Sequence, residues 1–102
     1  MNEEFFRQRL IQLRNQKGVS ARDMSLTLGQ SESYINKIEN GKAFPSLQVF
    51  FYICDYFDIS PKDFFDENSS NPALLNTLIA DLKTLPDSQI SNIAEIVKGL
   101  KR

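Results

Sequence analysis

Residues 18–42 read GVSARDMSLTLGQSESYINKIENGK, and the fold turns on how this stretch is divided. Ser20 is a natural N-cap, with Asp23 three residues on in a capping-box-like position and Ala21, Met24 and Leu28 on one helical face. Gly29 ends that helix. Only Gln30 separates it from Ser31, which reads as a second N-cap, so the next helix starts almost at once and runs to Asn40, where Gly41 stops it. Two short helices joined by a tight, glycine-containing turn result.

At 100° per residue the second of these helices has two unlike sides. Ile35 and Ile38 point inward, whereas Glu32, Ser33, Asn36, Lys37 and Asn40 fall on the opposite side. A helix pair with such a turn is a geometry that projects its second helix from a small bundle toward a DNA major groove, and these five side chains can donate to or accept from base edges and phosphates.

Working outward, the periodicity stays helical. Before the pair, a helix over about 3–17 carries Phe6, Leu10 and Leu13 as one stripe and ends at Gly18, with Ile11 pointing the other way. After it, Pro45-Ser46 opens a fourth helix reaching about Phe57, and Ser60-Pro61 starts a brief fifth one ending near Phe65. NSSNP at 68–72 is the linker candidate. Beyond it Leu74, Leu75, Leu78, Ile79, Leu82 and Leu85 share a face, and after Pro86-Asp87 so do Ile90, Ile93, Ala94, Ile96, Val97 and Leu100, which predicts an antiparallel helical hairpin. No alternating strand or Asn-Gly hairpin competes, so the expected class is all-α.

Composition narrows the function. The chain has 102 residues, 41% of them hydrophobic, with one cysteine and no histidine. That suits one ordinary domain with a bulky core and excludes an internal disulfide and a Cys/His zinc site, so no metal or cofactor is expected. Lacking histidine, the chain lacks the commonest general base; no cluster of titratable groups or phosphate loop replaces it, so no enzyme is expected. The first residues, MNEEFFRQRL, contain no apolar signal core, and no apolar run approaches the roughly 20 residues that span a bilayer, so a cytoplasmic protein without membrane contact is the expectation.

Net charge is −1 and the isoelectric point about 5.3, too acidic for a global attraction to nucleic acid. The charge is nonetheless uneven. Residues 1–43 hold seven Lys or Arg against five Asp or Glu, whereas 44–67 hold Lys62 alone against five carboxylates, a balance of +2 followed by −4.

Taken in order, LRNQKGVS, LGQSESYINKIENGK, PSL and ISPKDFF make residues 5–65 resemble the Cro/repressor (XRE) type of helix-turn-helix domain. The resemblance implies a five-helix domain, here residues 1–67; the linker at 68–72 and the C-terminal helical hairpin at 73–102, for packing or dimerisation, follow from the residue pattern beyond it. It implies that the third helix enters the major groove, with Glu32, Ser33, Asn36 and Lys37 at base-reading positions. Ser20, Asn40 and Lys42 match phosphate-contacting positions, and Arg22 is a further phosphate neutraliser by charge. Arg14 and Glu39 match a pair that ties the first helix to the recognition helix by a salt bridge. The implied function is a sequence-specific regulator of transcription, a repressor binding double-stranded DNA as a homodimer.

Three positions depart from that pattern: Ala21 stands where the family commonly has Gln as a contact, Gln30 where Val or Ile is usual, and Glu32 where Arg, Gln or Thr is more frequent. Glu32 either accepts from a cytosine amino group or simply complements the helix macrodipole. With the acidic isoelectric point, these departures keep a second class open: a protein-interaction adaptor or antitoxin that uses the scaffold with weak or no DNA binding.

Tyr34 and Tyr52 read as core or interface aromatics, and Cys54 as a buried, inert thiol. The fourth helix is apolar nearly all round, so covering of its outer side is expected from the hairpin, a second subunit, or both.

Overall fold

A computed structural model describes residues 2–101; among them are seven α-helices and no strand. The helices are α1 (Glu3–Lys17), α2 (Ala21–Thr27), α3 (Tyr34–Glu39), α4 (Leu47–Phe57), α5 (Pro61–Phe64), α6 (Pro72–Leu82) and α7 (Asp87–Leu100).

Local signals place most boundaries. Asn2, Ser20, Ser46, Ser60 and Asn71 each accept a backbone N–H in the first turn of the helix they cap, and Ser60 with Asp63 completes a reciprocal capping box. At the other end, α4 closes on Asp58, which takes the left-handed conformation at φ 56°. The N–H groups of Asp58 and Ile59 return to Asp55 and Cys54, so the last carbonyls of α4 are satisfied by the Schellman arrangement without a glycine.

The core is built by the first five helices. Phe6, Leu10 and Leu13 of α1 pack with Met24, Ile35, Ile38, Phe50, Ile53 and Phe57, closed by Phe64 of α5. Phe64 lies 5.0 Å from Phe6 and meets Phe50 edge-on at 5.3 Å, the offset arrangements that aromatic quadrupoles favour. Ile11 is half-buried, and Phe5 stacks on Phe65 at 6.4 Å.

Arg9, which the apolar pattern does not mark, is buried against the chain after α5. Its Nη1 donates to the Ser69 carbonyl at 2.7 Å, Nη2 donates to the Asp66 carbonyl, and the guanidinium lies over the Phe5 ring. Charged donors on carbonyls are stronger than neutral ones, so the segment 66–70 is tied to α1 rather than loose. Gln16 adds a donor to the Ser70 carbonyl, and Asn76 of α6 donates to the Asp63 carboxylate at 2.9 Å. That last bond, with help from Ser60, holds the Asp63 carboxyl below its ordinary range.

From there the packing thins. Ala73 packs against the core and Leu74 lines an open depression with Leu13 and Phe57, but Pro72 is the one buried residue of α6, and α7 buries none. Leu78, Ile79, Ile96, Val97 and Leu100 are exposed, and an open apolar groove runs between Leu82 of α6 and Ile90, Ile93, Ala94 and Val97 of α7. The radius of gyration, 16.5 Å, exceeds the roughly 13 Å of a compact chain this long.

Two expectations need correction. The C-terminal helices do not cover the outer side of α4 within one chain: Leu47 remains 68% and Phe51 46% exposed, because α6 docks at the far end of α4, beside Phe57. The third helix starts at Tyr34 rather than after a Ser31 cap. Residues 31–34 form a turn closed by the Tyr34 N–H on the Ser31 carbonyl, and Ser33 occupies the cap position without a side-chain bond.

Candidate nucleic-acid interface

The late start of α3 has a physical cause in α2. The buried Ser25 hydroxyl donates to the Ala21 carbonyl at 2.7 Å and accepts the Ile35 N–H at 2.9 Å. An N–H left over at the start of α3 is therefore satisfied by a neighbouring helix instead of by a local cap. Between them Gly29 sits at φ 75°, and the Gly29 and Gln30 N–H groups return to Leu26 and Ser25. This Schellman closure turns the chain within a few residues, and a side chain at Gly29 would strain it.

At its C-terminal end α3 is closed the same way. Gly41, at φ 74°, donates to the Ile38 carbonyl, and Lys42 donates to the Lys37 carbonyl at 2.8 Å. The six-residue helix is thereby pinned at both ends, and Ile35 and Ile38 are fully buried beneath it.

Its orientation is fixed from α1. Arg14 Nε donates to Glu39 Oε2 at 2.7 Å and Nη2 donates to Oε1 at 3.0 Å, a two-pronged pair, while Nη1 donates to the Val19 carbonyl at 3.0 Å. The side chains are only 18% and 9% exposed, so water screens the pair little. The bond to Glu39 raises the Arg14 pKa above its ordinary value.

On the outward side, Asn36 and Lys37 lie on α3 itself, and Asn40 is its C-cap. Glu32 and Ser33 belong to the preceding turn, not to the helix, so their side chains approach any ligand from the start of α3. Ser20 caps α2, its Oγ accepting the Asp23 N–H at 3.0 Å, and Arg22 follows in the first turn of α2. Lys42 is exposed in the bend after α3.

The structure brings some of these groups together in ways the spacing does not show. Arg22 Nε lies 3.1 Å from Glu32 Oε2, a pair 64% and 65% exposed that links the starts of α2 and α3. Asn40 Nδ2 donates to Asn36 Oδ1 at 2.8 Å, giving the two amides a shared orientation. Ser25 and Arg9, by contrast, are buried structural groups not singled out from the sequence. A polar residue on the buried face of α2 marks Ser25; no pattern marks Arg9.

The Cys54 thiol, buried in the core and close to Asp55 and Asp63, is pushed up to about 11 by desolvation first and by those carboxylates second. Among the described residues no group of three or more His, Cys, Asp or Glu side chains converges as a metal site requires, and no helix is long and apolar enough to cross a membrane.

This arrangement, two short helices pinned around a glycine turn with the second one's polar side exposed on a five-helix core, defines a class of domain. The family profile described as "Helix-turn-helix domain" matches residues 8–70, more than half of the chain. The chain belongs to the helix-turn-helix domain family, whose members are typically DNA-binding units rather than enzymes. Searches of the curated proteins and of the solved structures return no match.

Proposed function

We propose that this chain is a sequence-specific regulator of transcription of the Cro/repressor (XRE) type, a repressor that binds double-stranded DNA as a homodimer in the cytoplasm. The observation that carries the reading is the exposed polar side of residues 32–42, held in one orientation by the Arg14–Glu39 pair and by Ser25. In it, Glu32, Ser33, Asn36 and Lys37 face base edges in the major groove, and Ser20, Arg22, Asn40 and Lys42 face phosphates.

The homodimer follows from the other end of the chain. The apolar sides of α6 and α7 bury almost nothing in one subunit, and a second copy offers the same surface, as a two-fold interface requires. Two recognition helices would then address half-sites about 34 Å apart on one face of the duplex. Repression follows by occlusion of a promoter.

One observation favours a second reading, an adaptor or antitoxin with weak DNA contact. Arg22 and Glu32 neutralise one another at the start of the surface, and Ala21 offers no polar group there. Fluorescence anisotropy against mixed genomic fragments at low and moderate salt separates the two. A regulator binds and weakens as salt rises; absent or salt-insensitive binding favours the adaptor.

A further inference from the structure

The chain after α3 does not end its side of the molecule alone. The N-terminal part of α1 returns to it: Phe6 packs on Phe44 with ring centroids 4.9 Å apart, and Arg7 follows Phe6 on the same helix. Arg7 Nη1 lies 3.4 Å from the position a Cβ would take at Gly41, and Arg7 lines a surface depression with Glu3, Asn40, Gly41 and Phe44. A guanidinium therefore stands beside the two residues that precede Lys42, although more than thirty positions separate them in sequence. In the isolated protein it is paired with Glu4, itself 56% exposed, on the same helix.

We infer that Arg7 is a further phosphate-binding residue, which clamps the duplex backbone where it passes the C-terminal end of α3, and that Glu4 competes with phosphate for it. The inference rests on the proposed DNA-binding function and adds a contact to it. A guanidinium presents a rigid fork of donors that matches phosphate oxygens, and Gly41, having no side chain, leaves its approach open. Glu4 holds that fork at the surface without burying it, so exchange of the carboxylate for a phosphate needs no refolding. In a duplex complex Arg7, Asn40 and Lys42 act together on one stretch of backbone, which fixes the docking angle of α3 but reads no base.

The test is a salt titration of full-length protein on one selected duplex and on an unrelated duplex. Four variants are compared with the native chain: Arg7→Ala, Arg7→Lys, Glu4→Gln and Lys42→Ala, with circular dichroism to verify folding. Removing one phosphate contact lowers the slope of log K against log salt by about 0.9, and at 0.1 M salt weakens binding by about five- to tenfold. Arg7→Ala is expected to show that loss equally on both duplexes, Arg7→Lys to retain the slope, and Glu4→Gln to bind more tightly than the native chain. If Lys42→Ala shows its loss while Arg7→Ala leaves affinity and slope unchanged, the Arg7 assignment is overturned and the regulator reading stands. If Arg7→Ala weakens binding but Arg7→Lys weakens it as much without a slope change, Arg7 acts through packing and the inference is again overturned. Failure of the native chain to bind any duplex overturns both.

Discussion

The first 65 residues and the last 30 are made of similar proportions of apolar side chains, yet they use them in opposite ways. In α1–α5, the outer side of α4 excepted, each helix turns its apolar stripe into a shared core: Leu10, Met24, Ile35, Ile38, Ile53 and Phe64 are all fully enclosed, and most helix ends are capped by serine, asparagine or a left-handed turn. In α6 and α7 comparable stripes of Leu, Ile and Val face outward, and only the first half of α6 is docked, through Pro72, Ala73 and Asn76. Periodicity alone says which side of a helix is apolar; it does not say which surface that side will meet. A domain that has closed its own core and a pair of helices that has not are built for different tasks. The first holds α3 steady, and the second is suited to a partner.

The comparison is sharpened by substitutions on each side of it. The largest effect is expected at Phe64→Ala: removing an enclosed aromatic that touches Phe6 and Phe50 costs about 3–5 kcal/mol, read as a lowered midpoint in denaturant unfolding. A change under about 1 kcal/mol, small on the scale of core truncations, would remove the contrast between the two regions. The paired experiment is Ile96→Asp with Leu100→Asp. Unfolding of α1–α5 should be unaffected, while light scattering coupled to gel filtration should show the native chain as the proposed dimer and the variant as a monomer. A dimer of undiminished mass would place the interface elsewhere, and the exposed Leu47 and Phe51 of α4 would be the next surface to substitute.

Next comes the brace that holds α3. Glu39→Ala leaves the Arg14 guanidinium with the Val19 carbonyl as its remaining partner in a poorly solvated place and should cost about 2 kcal/mol. Ser25→Ala, which strips the Ile35 N–H of its acceptor, should cost about 1–3 kcal/mol and loosen α3 in amide hydrogen exchange. Exchange unchanged at Ile35 and Asn36 would mean that α3 is held by burial alone. By contrast, Arg22→Ala removes a solvent-exposed pair and should change stability by less than about 1 kcal/mol.

The smallest effect lies with pH. The Cys54 pKa is raised to about 11 from an ordinary value of 9.0, so the native state keeps its proton where the unfolded chain has lost it. Stability from this thiol is complete below pH 9 and falls as pH rises toward 11. Cys54→Ala should flatten stability over that window, and the native thiol should react with a disulfide reagent only as fast as the chain opens.

Much of this was legible before any coordinates. Caps at Ser20, Ser46 and Ser60 and stops at Gly18, Gly29 and Gly41 are local devices, decided by residues within a few positions of one another, and the all-α class follows from them. What could not be read was settled across the fold. Ser31 looks like a cap, but its carbonyl closes a turn with the Tyr34 N–H; the cap position falls two residues later, at Ser33, and the Ile35 N–H that a Ser33 side chain would serve is taken by Ser25 from another helix. Helical spacing puts Glu32 on the recognition helix, yet it lies in the turn before it, paired with Arg22. Arg9 has the composition of a surface residue and is buried by carbonyls supplied about sixty positions away. For the outer side of α4 the pattern leaves the hairpin, a second subunit, or both as its cover, and the docking point of α6 near Phe57 removes the hairpin of the same chain.

The central claim, that the polar side of residues 32–42 reads duplex DNA as one half of a dimer, is tested most directly by selecting bound fragments from a pool of genomic DNA. The account predicts enrichment of inverted repeats whose half-sites lie about one helical turn apart, near 34 Å, and loss of base preference at a defined position with Lys37→Ala. Recovery of fragments no different from the starting pool, or a Lys37→Ala profile identical to that of the native chain, would contradict it.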